Sequence, residues 1–214
     1  MRVSLADQAG PPVPASLAIG LGANLPGPSG GPIATLIAVR PLLEASVSQW
    51  ACQLEPPSEP RGCRWSWSPL FRTEPVGGPA DQPSYVNAVV LMQGVPPLCP
   101  GRQEPAARAA ADALLERLQE LERHFGRERR ERWGPRSLDL DLLWWGDLRC
   151  RSATLALPHP LWQQRAFVLA PLAALTALTA LAALAPPTNQ TSLESEVVPL
   201  PGQPGWPESL MTLE

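Results

Sequence analysis

The stretch RWGPRSLDLDLLWW, residues 132–145, sets two aspartates inside an apolar run directly behind a group of arginines. A short apolar run with aromatic residues near its end is typical of a β-strand. Because successive side chains of a strand point to opposite faces, Asp139 and Asp141 share one face. The other face is expected to carry Leu138, Leu140, Leu142 and Trp144. We therefore predict a strand that buries its leucines and presents a pair of carboxylates.

The two carboxylates need a positive partner. Residues two apart on a strand have Cα atoms about 6.5 Å apart. Two charges about 6 Å apart, at an effective dielectric constant of about 20, repel each other by roughly 3 kcal/mol. Arginines of the preceding segment could offset this repulsion. So could divalent metal ions, which paired carboxylates hold in many phosphoryl-transfer sites. The residues by themselves leave both possibilities open.

Charge in this chain is carried unevenly. The 214 residues have a net charge of −3, which implies no overall field for binding a polyanion. All 17 basic residues are arginine, and six of them fall within fourteen positions that end just before the aspartates: Arg123, Arg127, Arg129, Arg130, Arg132 and Arg136. The planar guanidinium fork suits phosphate oxygens. A solvated loop whose arginines pair with Glu128 and Glu131 is the alternative.

Cysteine usage and hydropathy predict a cytoplasmic protein that does not span a membrane. The four cysteines form no Cys-x-x-Cys motif, so we predict reduced thiols rather than a zinc centre. Residues Ala166 to Pro187 carry no charge and are long enough to cross a bilayer. Their high content of Ala and Thr, and Pro171 among them, favour an Ala/Leu helix at the end of the core instead.

The chain divides into three parts. Residues 1–15 are predicted to be a flexible leader, residues 16–185 a single domain with a Pro-rich insertion at 52–63, and residues 186–214 a disordered tail.

Within the domain, the hydrophobic pattern predicts the order strand, helix, strand, strand, helix, strand. The predicted elements are a strand at Leu17–Leu21, a helix from Pro32 that Pro41 should end or kink, strands at Arg64–Arg72 and Tyr85–Met92, a helix from Pro105 to Phe125 stopped by Gly126, and the aspartate strand. This order is that of a ferredoxin-like α+β fold, an antiparallel sheet with helices packed on one face. The free face would hold a cleft, toward which Tyr85 and Asn87 both point.

Four blocks of sequence together resemble a known family. They are GLGAN at 20–24, FRTEPVG at 71–77, the segment 126–141 that ends in RWGPRSLDLD, and the segment 157–167 that begins LPHP. In this order they resemble the 6-hydroxymethyl-7,8-dihydropterin pyrophosphokinase family over about residues 17 to 175. That family passes pyrophosphate from ATP to a pterin alcohol in folate biosynthesis. Its fold is ferredoxin-like, as the order of elements predicts.

The resemblance implies a role for each matching residue. Asp139 and Asp141 would hold two Mg²⁺ ions that bridge the ATP phosphates, and Arg127 and Arg136 would contact the phosphates as a mobile loop closes; these four are the implied catalytic residues. The implied nucleotide contacts are Gln119, Glu122, Arg129, Arg132, Trp133, Leu142, His159 and Arg165. The implied pterin contacts are Tyr85 and Phe167 on the ring faces and Thr73, Val76 and Asn87 on its edge. The implied partners are ATP and hydroxymethyldihydropterin, bound by a monomer, without nucleic acid.

Other interpretations remain open at this point. Trp133 could simply pack the arginine loop, Phe167 could belong to the core, and His159 could be a turn residue. A ferredoxin-like sheet with aromatic and basic residues could also be a non-catalytic module that binds single-stranded RNA. A catalytically inactive homologue that serves as a scaffold is a third possibility. Dependence of nucleotide binding on Mg²⁺ would distinguish the pyrophosphokinase from the RNA-binding module.

Overall fold

The structure is a computed structural model that describes residues 16–54, 64–95, 104–128, 133–179 and 197–207. The elements in chain order are β1 (Ser16–Ala23), α1 (Pro32–Cys52), β2 (Arg64–Trp67), β3 (Phe71–Thr73), β4 (Tyr85–Gln93), α2 (Glu104–His124), β5 (Asp139–Trp145), β6 (Cys150–Arg151), β7 (Ala156–Leu157), a 3-10 helix (Trp162–Gln164), α3 (Ala166–Thr179) and β8 (Val197–Pro199).

The main sheet is antiparallel, with the strand order β5-β1-β4-β3-β8, and β2 pairs with β4 as well. This confirms the predicted α+β class. The strand predicted over Arg64–Arg72 is divided into β2 and β3 at Ser68, Pro69 and Leu70. Ser68 continues the pairing across the break, because its N–H donates to the Val89 carbonyl oxygen and its hydroxyl accepts from the Val89 N–H, both at 3.0 Å.

Helix α1 packs on one face of the sheet together with α2. Pro41 does not end α1, which continues to Cys52, so of the two expected effects, an end or a kink, the first is wrong. The proline lies on the exposed side of the helix, where the backbone bond it cannot make is a local loss. The buried side, which includes Leu36 and Leu43, continues past it and keeps the helix on the core.

Helix α3 lies on the opposite face of the sheet. Val168 and Leu175 pack there against Ala18, Val89 and Leu143. The prediction that the helices pack on one face is therefore correct for α1 and α2. Helix α3 covers part of the face that was predicted to be free. The part left open forms the cleft described below. Within the part of the chain that the structure describes, no helix is both long and apolar enough to cross a membrane.

Strand β5 buries its leucines and presents its aspartates on the α3 side, as predicted, but Trp144 was assigned to the wrong face. Ile19 pairs with Leu142 whereas its neighbour Ala18 pairs with Trp144, so β5 has one extra residue, Leu143, at this point. Such a β-bulge places two successive side chains on the same side. Leu143 and Trp144 therefore both pack under α3.

The predicted tail contains an ordered segment. Strand β8 pairs with β3, and the side chain of Trp206 is buried against Trp67, with ring centroids 5.2 Å apart. The Trp206 indole N–H donates to the Ser68 carbonyl oxygen at 2.9 Å. Disorder over 186–214 is thus wrong for residues 197–207, because two valines and a tryptophan find apolar surface that composition does not reveal. The leader and residues 55–63 of the insertion lie outside the described residues.

Candidate active site

A cleft of about 470 Å³ opens on the α3 side of the sheet. Eleven of the residues singled out from the sequence line it: Thr73, Val76, Tyr85, Asn87, Arg127, Trp133, Arg136, Asp139, Asp141, Arg165 and Phe167. We call Arg127, Arg136, Asp139, Asp141 and Arg165 the charged end of this cleft, and Thr73, Tyr85, Asn87 and Phe167 its neutral end. Residues almost a hundred positions apart thus face one cavity, because β4 and β5 flank β1 in the sheet.

Each aspartate of the charged end is paired with arginine. The Asp139 carboxylate accepts from Arg127 Nη1 at 2.6 Å and from Arg136 Nη1 at 3.0 Å. The Asp141 carboxylate accepts from Arg165 Nη1 at 3.1 Å. In this structure, therefore, arginines supply the positive partners that the sequence requires. Each of the three guanidinium groups is also within reach of an anion that enters the cleft.

The arginines do not remove all of the electrostatic cost at Asp141. Burial and the neighbouring charge of Asp139 raise the pKa of Asp141 to about 6, against the opposing effect of Arg165, Arg127 and Arg136. A carboxylate that stays hard to ionise beside three arginines favours an additional cation. Two neighbouring carboxylates that face the cleft fit a hard ion such as Mg²⁺, which takes one or two carboxylates and completes its shell with phosphate and water oxygens. No group of three or more His, Cys, Asp or Glu suited to a metal occurs among the described residues.

Glu122 acts behind the charged end. Its side chain is 3% exposed and does not line the cleft. One carboxylate oxygen accepts from the backbone N–H of Leu140, between the two aspartates, at 2.8 Å, and the same oxygen pairs with Arg127. Glu122 therefore fixes the last turn of α2 to β5 and orients the Arg127 guanidinium toward Asp139.

Three of the four side chains of the neutral end, Thr73, Tyr85 and Asn87, make direct hydrogen bonds. The buried Asn87 amide donates to the Thr73 hydroxyl at 2.7 Å, which leaves its carbonyl oxygen Oδ1 on the side of Gly22. A Cβ at Gly22 would lie 2.8 Å from this oxygen, so a larger residue there would displace the Asn87 amide. Across the cleft, the Tyr85 hydroxyl donates to the Gly134 carbonyl oxygen at 3.3 Å. Burial raises the pKa of Tyr85, so the phenol remains neutral.

Two loops meet at the mouth of the cleft. Trp133 has a positive φ of 58° and a side chain that is 48% exposed. Its carbonyl oxygen accepts from the Gln82 amide at 3.1 Å, and its ring lies against Gly77. Trp133 thus packs its own loop against the loop that contains Gly77 and Gln82, in line with the interpretation that it is a packing residue. It also lines the cleft.

Phe167 is a cleft residue at the edge of the core. Its ring is partly exposed, and it packs at the margin of the α3 cluster. The guanidinium carbon of Arg165 lies 5.4 Å from the centre of this ring. A cation over an aromatic face is a favourable contact, and here it joins the charged end to the neutral end.

Comparison with known proteins agrees with this arrangement. A family model described as 7,8-dihydro-6-hydroxymethylpterin-pyrophosphokinase matches residues 18–177, well over half of the chain. The chain belongs to this family. The matched region contains both aspartates, all the described residues of the two ends and the loop around Trp133.

Individual relatives carry the pyrophosphokinase name. A 2-amino-4-hydroxy-6-hydroxymethyldihydropteridine pyrophosphokinase of Pseudomonas aeruginosa is 43% identical over 106 residues, which are 50% of this chain and 57% of the relative. One of Synechocystis sp. is 40% identical over 108 residues, 50% of this chain and 46% of the relative. A mitochondrial folate synthesis bifunctional protein of Arabidopsis thaliana is 41% identical over 110 residues, 51% of this chain and 17% of the relative. The chain thus spans about half the length of the curated pyrophosphokinases that it matches.

Some residues that the family resemblance singled out lie away from the cleft. The Leu142 side chain is 4% exposed and belongs to the core on the opposite face of the sheet. Gln119 is on α2 and does not line the cleft. Arg129 and Arg132 lie outside the described residues.

His159 has the role of a turn residue. Its backbone N–H donates to the Leu143 carbonyl oxygen at 2.7 Å, and its Nδ1 accepts from the Leu161 N–H at 3.2 Å. Burial and the nearby charge of Arg165 lower the pKa of His159 to about 4, so the imidazole is neutral near pH 7. It supports the segment that carries Leu161 and Arg165 into the cleft without lining it.

Sequence reasoning missed several residues of this pyrophosphokinase-family site. Glu74, Leu161 and Gln164 line the cleft. The last two lie in or beside the short 3-10 helix before α3, where no periodic pattern marks the side facing the cleft. Asn24 was noted as part of a turn motif without a role, although an amide directly after a buried strand could have indicated one.

Proposed function

We propose that this chain transfers pyrophosphate from ATP to the hydroxymethyl group of 6-hydroxymethyl-7,8-dihydropterin, releasing AMP, as a step of folate biosynthesis. The observation that carries the proposal is the single cleft in which a pair of carboxylates ringed by arginines adjoins a neutral pocket with two aromatic rings. Family membership and the names of the relatives support the same activity.

At the charged end, Asp139 and Asp141 are the residues that would hold Mg²⁺, with two ions expected. When bound, these ions would neutralise phosphate charge and polarise phosphoryl oxygens. Arg127, Arg136 and Arg165, which pair with the aspartates here, would contact the triphosphate through their planar forks. In this exchange of partners, every charge in the site would keep an opposite charge beside it.

At the neutral end, the rings of Tyr85 and Phe167 would stack on the two faces of the flat pterin. Asn87 is held by Thr73 and would offer its carbonyl oxygen to the donors on the pterin edge. Val76, of which 60% is exposed at the rim, would cover the ring from the loop.

The main contribution of the protein to the reaction would be to position the two substrates. The pterin hydroxyl oxygen would form a bond to the β-phosphorus and lose its proton to water, while the bond from that phosphorus to the α-β bridging oxygen breaks, leaving AMP. Alignment of the two reactants can supply much of the rate increase in such a transfer. Leu161 and Trp133 at the mouth, together with Val76, would exclude water from the bound triphosphate.

A non-catalytic RNA-binding module is not favoured. An RNA phosphate that enters the cleft would meet the carboxylates of Asp139 and Asp141. We expect the enzyme to act as a monomer. We expect it in the cytoplasm, where ATP and Mg²⁺ are available.

The test is a coupled assay on the purified chain. AMP should form in equal amount to pterin diphosphate, and only when ATP, Mg²⁺ and the pterin alcohol are all present. Omission of the pterin alcohol or addition of EDTA should stop AMP formation. Steady formation of ADP, AMP release without pterin, or oligonucleotide binding without Mg²⁺-dependent nucleotide binding would contradict the proposed activity.

A further inference from the structure

Asn24, in the turn after β1, does not line the cleft, yet it is hydrogen-bonded to the segments that carry both of its ends. Its side chain is 3% exposed. We infer that Asn24 is a positioning residue that fixes the charged end and the neutral end relative to each other. This inference rests on the proposed function, and it concerns a residue to which the site itself assigns no contact with substrate.

On one side, Asn24 holds the backbone of Arg136. The Asn24 oxygen Oδ1 accepts from the Arg136 N–H at 2.7 Å. The Arg136 carbonyl oxygen in turn accepts from the backbone N–H groups of Asn24 and Leu25, both at 3.0 Å. Both backbone polar groups of Arg136 are therefore bound to the turn. Because the backbone of Arg136 is fixed, its guanidinium is held where it can donate to Asp139 at 3.0 Å.

On the other side, Asn24 holds the loop that leads into β4. Its amide Nδ2 donates to the Pro83 carbonyl oxygen at 3.0 Å. Pro83 is two residues before Tyr85 and has no N–H, so this carbonyl is its one backbone hydrogen-bonding group. Tyr85 also connects the two segments directly, because its hydroxyl donates to the carbonyl oxygen of Gly134, two residues before Arg136.

The chemistry of these partners specifies an amide at position 24. The Arg136 N–H can only donate and the Pro83 carbonyl can only accept, so the residue between them needs both an acceptor and a donor on one short side chain. Aspartate offers acceptors alone, and alanine offers neither. The ends of the cleft would then be free to shift apart, and a small misplacement of reacting groups is costly in a transfer that depends on alignment.

Two variants separate the two hydrogen bonds. Asn24→Asp keeps the acceptor for Arg136 and loses the donor to Pro83. It should raise the Kd of the pterin alcohol about tenfold, and change the Kd of an ATP analogue with a methylene between the α- and β-phosphorus by less than about threefold. Asn24→Ala loses both bonds and should also lower kcat about tenfold with both substrates saturating.

Ser68→Ala is the matched control. The Ser68 side chain is fully buried, and its hydroxyl also makes two bonds to backbone, accepting from the Val89 N–H at 3.0 Å and donating to the Pro69 carbonyl oxygen at 2.8 Å. Ser68→Ala also loses two buried hydrogen bonds, so its thermal stability should fall by about as much as that of Asn24→Ala. Assayed well below its own Tm, however, it should keep kcat and both Kd values within about twofold of the wild type.

The outcomes are distinct. A wild-type chain that forms no AMP contradicts the proposed function, whatever the variants do. A wild-type chain that is active contradicts the role of Asn24 if Asn24→Asp binds both ligands as the wild type does, or if Ser68→Ala shows the same selective loss. Should Asn24→Ala fail to fold, the pattern of the two Kd values in Asn24→Asp decides.

Discussion

The two ends of the cleft are stabilised in different ways. At the charged end, long arginine side chains from three segments pair with two aspartates, and the proposed binding of phosphates and metal would exchange these pairs. At the neutral end, Asn87, Thr73 and Gly22 are fixed on neighbouring strands, and their arrangement needs no exchange. Under the proposed function, we therefore expect one end to rearrange on binding and the other to be already formed. The two ends should therefore respond to mutation and to pH in different ways.

The largest effect is expected at the charged end. Asp141→Ala should lower the rate of AMP formation about a thousandfold or more, because it removes one of the two carboxylates that would hold the metal. Circular dichroism should show that the fold survives. Asp147→Ala, which removes an exposed carboxylate just beyond β5, is the control and should leave the rate unchanged. A near-normal rate in Asp141→Ala would remove the metal assignment.

A smaller effect is expected when the neutral end is disturbed. In Gly22→Ala the new methyl group would lie 2.8 Å from Asn87 Oδ1 and must displace it. The Kd of the pterin alcohol should rise about tenfold, while that of the ATP analogue stays within about twofold. Calorimetric titration measures both. Gly31→Ala, where a Cβ would meet nothing within 4 Å, is the control. Equal weakening of both ligands would show that the two ends are not independent.

The smallest effect is a difference in stability of the ligand-free protein. The pKa of Asp141 is about 6 in the folded protein, against 3.8 as the ordinary value. The folded state therefore binds the proton more tightly, and ionisation of Asp141 destabilises the fold above about pH 6; this cost disappears as the pH falls toward 4. Asp141→Asn should raise Tm by a few degrees at pH 7.5 and by less at pH 4, measured by scanning calorimetry.

The same variant gives a converse result with ligand. Mg²⁺ and the ATP analogue together should raise the Tm of the wild type more than that of Asp141→Asn, because a ligand stabilises the folded state according to its affinity. Identical Tm values of the two ligand-free proteins at pH 7.5 would show that the charge of Asp141 carries no cost. The ligand-free charged end would then have no electrostatic cost that an added cation could relieve.

Much of the cleft could be predicted because its residues occur in short blocks with strong local patterns. Asp139 and Asp141 alternate with leucines, and Tyr85 and Asn87 alternate with buried residues, so their shared faces follow from the geometry of a strand. Trp144 escaped this argument because a bulge shifts the register by one residue, and the bulge depends on pairing with β1. The ordered segment around Trp206 could not be predicted in this way, because a few apolar residues among prolines do not indicate which surface will bury them.

Local periodicity and motif spacing were enough to predict the order of the main strands and helices as far as β5, the face on which the aspartates lie and the family to which the chain belongs. Only the tertiary structure decided which partners the charges take. That Arg127 and Arg136 share Asp139, that Glu122 lies behind them, and that Asn24 connects Arg136 to Pro83 follow from side chains meeting across segments distant in the chain. Such meetings depend on distances of a few ångströms, which no one-dimensional pattern contains.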